Sequence, residues 1–255
     1  LEADATDPAA AAMAVAQIKP IVDRTLADIQ IGSLDYLKPK PSSITTLVHN
    51  KYNPEGISQF NIVPGLLGVI LTMTMVMITS IAMTREAERG TMENLLAMPS
   101  KPLEVMIGKI TPYVLMGLVQ TMIILLASNM LFHLPFVGSG STFGLGVGLF
   151  ILANLAIGFT FSTIAKSQMQ AMQLTFFFFL PSMLLSGFMF PFQGMPKWAQ
   201  YLGEILPLTH FLRIVRGIML KGTSLSLLSN EFLALLAILI IVGIIAMLRY
   251  RQTLD

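Results

Sequence analysis

Four stretches of this chain contain no Asp, Glu, Lys or Arg: 56–84, 110–165, 167–196 and 232–248. A helix needs ~20 apolar residues to cross ~30 Å of hydrocarbon. Within hydrocarbon only helices and closed barrels satisfy every backbone polar group. Runs this long and uninterrupted are helical in scale, so the expected fold is mainly α, a polytopic helical membrane protein. Composition agrees, with 12% charged residues where soluble domains carry roughly 25%, and a mean hydropathy of +0.72.

The runs predict about five spans: 61–83, 110–132, 143–165, 169–190 and 229–248. The second run is too long for one crossing and breaks at "HLPFVGSGS" (133–141), where Pro and Gly build a turn. Between the fourth and fifth predicted spans, residues 190–222 are semi-apolar and broken by Pro191, Pro196 and Pro207. Trp198 and Tyr201 suit a headgroup interface there, so short interfacial helices are expected. Orientation follows from Lys and Arg in short loops. The 84–109 loop carries four (Arg85, Arg89, Lys101 and Lys109) and the hairpin tip 133–142 carries none. This places 84–109 in the cytoplasm and the tip outside. Residues 190–228, with Lys197, Arg213, Arg216 and Lys221, go against the rule, but the short hairpin is the cleaner test.

Residues 1–60 differ from the rest, holding five of the sixteen Lys/Arg and seven of the fourteen Asp/Glu. "PAAAAMAVAQIKPIVDRTLADI" favours a helix, interrupted or restarted at Pro20. "SITTLVHNKYN" (43–53) alternates loosely in β-branched residues and reads as a strand. Together they predict a small, partial extracytoplasmic α/β domain over 1–60, followed by a transmembrane domain over 61–255. The chain opens on Leu1 without the basic-then-apolar order of a signal peptide, so a longer protein is expected upstream.

Much chemistry is absent. There is no cysteine, hence no disulfide framework and no thiolate metal site. No G-x-x-x-x-G-K-[ST] stretch occurs, so no P-loop is expected. The three histidines, His49, His133 and His210, are scattered in sequence, and no metal, cofactor or catalytic site is expected. No basic cluster with interleaved aromatics points to nucleic acid. "LLSGF" (184–188) with His210 is a poor match to an intramembrane Ser–His protease and reads as packing. Gly144 and Gly148 form a G-x-x-x-G pair, read as close helix packing. The span interiors hold no ionisable residue, with His133 and Glu231 near ends only. Ion-driven carriers place such residues inside the membrane.

One segment breaks the pattern. "TREAERGTMENLLAMP" (84–99) packs five charges between Arg85 and Glu93. Gly90 can end the preceding helix and Thr91 can cap a new one. Met92, Leu95 and Leu96 then share a face at i, i+3, i+4 spacing, and Pro99 stops the turn. The spacing alone fits either a short amphipathic docking helix or an ordinary solvated loop.

The stretches "NPEGISQFNIVPGLLGVIL" (53–71), "REAERGTMENLLAMPSKPLEVMIGK" (85–109) and "LPLTHFLRIVRGIMLKG" (206–222) together resemble the permease subunit of ABC-2 type transporters. The middle stretch is similar to a family pattern E-x-G-T-x-E-x-L-L-x-x-P, which falls here on Glu88, Gly90, Thr91, Glu93, Leu95, Leu96 and Pro99. The resemblance covers about 50–255 and implies six family spans, of which the first is missing here. It also implies that 84–99 includes a coupling helix seated on an ATPase, with Glu86, Glu88, Arg89, Gly90, Thr91, Glu93, Leu95, Leu96 and Pro99 as docking residues. The implied partners are an ABC ATPase, separate or fused, a second permease copy and the lipid membrane. ATP would be bound and hydrolysed by that partner, leaving this chain without cofactor or enzymatic activity. The implied location is a bacterial inner membrane. The rival readings are an ion-coupled secondary transporter and a non-transporting membrane anchor.

Overall fold

The computed structural model describes residues 2–4, 6–29, 49–51, 55, 57–89 and 102–252. The chain divides into two compact units, Leu1–Asn61 and Ile62–Asp255.

In the first unit, β1 (Glu2–Asp4) pairs in parallel with β2 (His49–Lys51), Ala3 facing Asn50. Helix α1 (Pro8–Ile29) starts where the sequence supplies both a cap and a first-turn proline. The Asp7 carboxylate accepts from the Ala10 amide at 3.3 Å, and Pro8 sits where its missing N–H costs nothing. The expected break at Pro20 does not occur. Pro20 lies within a continuous helix, which gives up one backbone hydrogen bond there.

The second unit is a bundle of long apolar helices: α2 (Ser58–Glu88), α3 (Pro102–Phe132), α4 (Gly140–Ile164), α5 (Gln168–Leu185) and, at the end, α8 (Ser229–Gln252). Two shorter helices, α6 (Lys197–Glu204) and α7 (Pro207–Lys221), precede α8. Among the described residues four helical stretches are long and apolar enough to cross a membrane: Ser58–Glu88, Gly108–Phe132, Gly140–Ile164 and Ser229–Arg249.

This corrects the expected five. The predicted span 169–190 forms only the 18-residue α5, ~27 Å of helix. Gln168, Gln170 and Gln173 dilute its first turns, and the chain turns away after Leu185 through Gly187, whose φ is +85°. Helix α5 still runs from the end of α2 towards its start, because Phe188, just beyond it, packs beside Gly65.

Helix α4 is the centre of the bundle, packing most extensively on α8 and next on α7. Of its most apolar stretch 67% is buried, against 17% for α3 and for α8. The flanking helices turn large side chains outward, among them Leu118, Met122 and Ile123 of α3 and Leu233, Ile240 and Ile244 of α8. Phe150 of α4 stacks on Phe211 of α7 at 3.9 Å with the rings 3° from parallel. Close helix approach is made at Gly158 of α4, where a methyl group would lie 2.7 Å from the carbonyl oxygen of Val76 in α2. It is not made at Gly144 and Gly148, beside which the space is open.

Four buried hydroxyls are satisfied within their own helices. Thr72, Thr84, Thr121 and Thr175 each donate to the carbonyl four residues earlier, at 2.8–2.9 Å. A hydroxyl in an apolar interior needs such a partner. Helix α7 ends in a glycine cap. Gly222 takes a left-handed conformation (φ 63°), and the Thr223 amide reaches back to the Gly217 carbonyl at 3.0 Å, the closing bond of a Schellman-type end.

Candidate functional site

The two ends of the bundle each carry a polar constellation. The first lies where α2 ends, and Glu86, Glu88 and Arg89 place three of the predicted docking residues there. Helix α2 stops at Glu88, two residues before Gly90. Gly90, Thr91, Glu93, Leu95, Leu96 and Pro99 lie outside the described residues.

Glu86 pairs with Lys109 near the start of α3. The Lys109 side chain is only 16% exposed, its apolar stem covered while the ammonium meets the carboxylate. Glu88 grips the first residue of α5 twice. Its carboxylate accepts from the Gln168 amide nitrogen at 2.9 Å and from Gln168 Nε2 at 2.5 Å. One turn earlier on α2, Arg85 Nε donates to Gln168 Oε1 at 3.1 Å. Gln168 is thus held at both ends of its amide by one face of α2. Arg89 is exposed, and its backbone amide donates to the Arg85 carbonyl.

The α5 start is prepared locally as well. Ser167 caps it by accepting from the Gln170 amide at 3.2 Å, and Gln170 Oε1 accepts from the Lys166 amide at 2.8 Å. This is close to a capping box, in which first-turn donors are satisfied reciprocally. Glu88 takes one more of the first-turn amides of α5, which have no partner inside the helix. Sequence reading missed Gln168 and Lys109 as functional residues. Nothing local in the sequence points from Gln168 to α2.

The second constellation sits where α6, α7 and α8 meet. His210 of α7 lies 2.6 Å, through Nδ1, from a Glu231 carboxylate oxygen of α8, and donates from Nε2 to the Glu204 carbonyl at 2.8 Å. A carbonyl can only accept, so Nε2 carries a proton. With an ionised carboxylate at Nδ1 the ring donates at both nitrogens, as imidazolium. Burial works against that charge, but the Glu231 hydrogen bond, the Glu204 carbonyl and both carboxylate charges outweigh it and raise the His210 pKa.

Arg213, one turn on, bonds Glu204 at 2.5 and 3.1 Å and Glu231 at 3.3 Å. Its guanidinium also lies 4.6 Å from the centre of the Phe192 ring, a cation–π distance. Two cations and two carboxylates therefore close on one another. Helix pairing puts the residues together, and their charges are spent on each other. Arg216 donates from Nη1 to the Gly187 carbonyl at 3.1 Å, tying α7 to the turn after α5.

Comparison with known sequences gives this architecture a family. The profile described as ABC-2 type transporter matches residues 40–220. The chain belongs to the ABC-2 type transporter family. It is 34% identical over 215 residues to the "Probable multidrug ABC transporter permease YbhR" of Escherichia coli, a match covering 84% of this chain and 58% of that protein. It is 36% identical over 194 residues to the "Inner membrane transport permease YhhJ" of Escherichia coli, covering 74% and 52%. A more distant relative is the "ABC transporter G family member 20" of Dictyostelium discoideum, 27% identical over 215 residues, covering 82% and 29%. This ABC-2 family chain thus spans little more than half the length of its bacterial relatives. No solved structure matches it.

Proposed function

We propose that this chain is the membrane permease part of an ATP-driven exporter in a bacterial inner membrane. It pairs with a second permease copy to form the translocation path and receives a cytoplasmic ABC ATPase on residues 84–99. ATP is bound and hydrolysed by that ATPase, separate or fused, and the permease contributes the path. The observation that carries the reading is the end of α2. Family membership and the amphipathic pattern of 91–96 direct attention to this segment, and the charged residues just before it are fastened to α3 and α5. A segment that receives force from a soluble motor needs such an anchorage, because a freely solvated loop would dissipate the displacement.

The test replaces the apolar face of the segment. Each leucine buried against a partner contributes roughly 1.5–3 kcal/mol. Leu95→Ser with Leu96→Ser is therefore expected to weaken ATPase association by about tenfold or more. Co-purification of the ATPase with the variant permease measures it. Retention of the ATPase at the parent level would show that the segment is only a loop.

The ion-coupled reading gains one observation from the fold. Glu231, with a side chain 22% exposed, meets His210 in a titratable pair. Its test is transport in vesicles treated with a protonophore while ATP is held constant. Arrest of transport under those conditions would favour that reading over ATP coupling.

A further inference from the structure

We infer that Gln168 is a positioning residue that carries motion of the docking segment into α5, and that Glu88 serves this linkage rather than the ATPase contact. The inference rests on the ATPase-docking reading above and identifies where the displacement goes next. Glu88 is the last residue of α2, within the docking segment 84–99 and just ahead of the amphipathic pattern at 91–96. Both of its carboxylate oxygens are engaged within the bundle, one by the backbone amide and one by the side-chain amide of Gln168. A carboxylate so engaged is pointed at α5, and an ATPase surface would have to compete with two short hydrogen bonds to recruit it.

The chemistry of the joint is specific. Gln168 must donate to Glu88 through Nε2 and accept from Arg85 Nε through Oε1. Only a side-chain amide offers a donor and an acceptor in this arrangement. Glutamate would keep the Arg85 bond but set two carboxylates against each other, and alanine would leave only the backbone bond. The joint is also stiff at its far end, because Ser167 and Gln170 satisfy the neighbouring amides of the same helix start. Displacement of the last turn of α2 therefore pulls on the N-terminus of α5 as a unit. The Glu86–Lys109 pair connects the same turn to α3, so the end of α2 is fastened to two neighbouring helices at once.

The experiment uses the permease purified with its ATPase in lipid nanodiscs. The chain has no cysteine, so Met169→Cys, at an exposed position in α5, takes a single environment-sensitive fluorophore. The signal is the change in emission when the ATPase is trapped with ATP and vanadate. Gln168→Ala is expected to retain the ATPase while losing about fivefold or more of the emission change, the lower end of ordinary coupling effects. Gln168→Glu is expected to behave likewise. Combining it with Glu88→Gln restores a donor facing an acceptor and is expected to recover the response, a rescue that a loss of folding could not show.

A full response in Gln168→Ala, or no recovery in the swapped pair, would overturn the inference. Loss of the ATPase from Gln168→Ala would also overturn it, by placing Gln168 in the docking surface itself. Failure of the docking reading is a separate result, seen as retention of the ATPase by the Leu95/Leu96 double variant.

Discussion

The His210–Glu231 pair makes a quantitative prediction. Glu231→Gln keeps the size of the side chain and removes its charge. The amide oxygen can still accept from His210, but the bond loses its ionic character, and ionic hydrogen bonds are roughly twice as strong as neutral ones. Starting from ~1.5–3 kcal/mol for a charged hydrogen bond, about half is lost. The Arg213 contact is long at 3.3 Å, and Arg213 keeps Glu204, so its share is ~0.2–1 kcal/mol. The expected destabilisation is thus ~1–2.5 kcal/mol. At about 2–4 °C per kcal/mol for a domain of this size, the permease should melt about 2–10 °C lower.

Trp198, the sole tryptophan, lies in α6, the helix that carries Glu204, and reports the transition by fluorescence of the detergent-solubilised protein. The pH dependence has a definite sign. His210 has its pKa raised above the usual imidazole value by Glu231 and Glu204, despite burial. Its contribution is therefore fully present below about pH 6.5 and is lost as pH rises through the raised value. The parent should lose stability across that alkaline side, whereas Glu231→Gln should show a shallower loss beginning at lower pH. A variant that melts with the parent at every pH would refute the claim that the pair is charged and stabilising.

Two further predictions concern packing and topology. Gly158→Val would drive methyl groups into the Val76 carbonyl and should destabilise the bundle by about 1–3 kcal/mol, read as a lower melting temperature. Gly148→Val, where the space is open, should do little in the same assay. A cysteine at Ser139, on the hairpin tip, should react with an impermeant thiol reagent from outside the cell, and one at Ser100 should not. Reversed labelling would remove the cytoplasmic placement on which the docking reading depends.

The membrane class was legible because charge-free runs of such length leave no other way to bury a backbone. The start of α1 was legible in the stretch that opens at Pro8. The glutamines at 168, 170 and 173 were visible too, and they explain why the third charge-free run yields a short helix. Six of the nine predicted docking residues lie beyond what the structure describes, so for them the motif remains the ground of the proposal.

What the sequence determined by itself was therefore the membrane class, the charged interruption at 84–99 and the family that its motif resembles. The tertiary structure decided which helices lie inside. In lipid the outside is as apolar as the interior, so the sequences of α2 and α4 carry no polar face to distinguish them from α3 and α8. It decided that Gly158, rather than Gly144 and Gly148, makes the close helix contact, since a glycine looks the same in sequence whether another backbone touches it or not. It also decided the partners of the few polar groups. Glu88 and Gln168 stand 80 residues apart, and His210 and Glu231 stand 21 apart. No local periodicity links residues so distant, and only the packing of helices across the bundle brings their charges and amides within hydrogen-bonding reach.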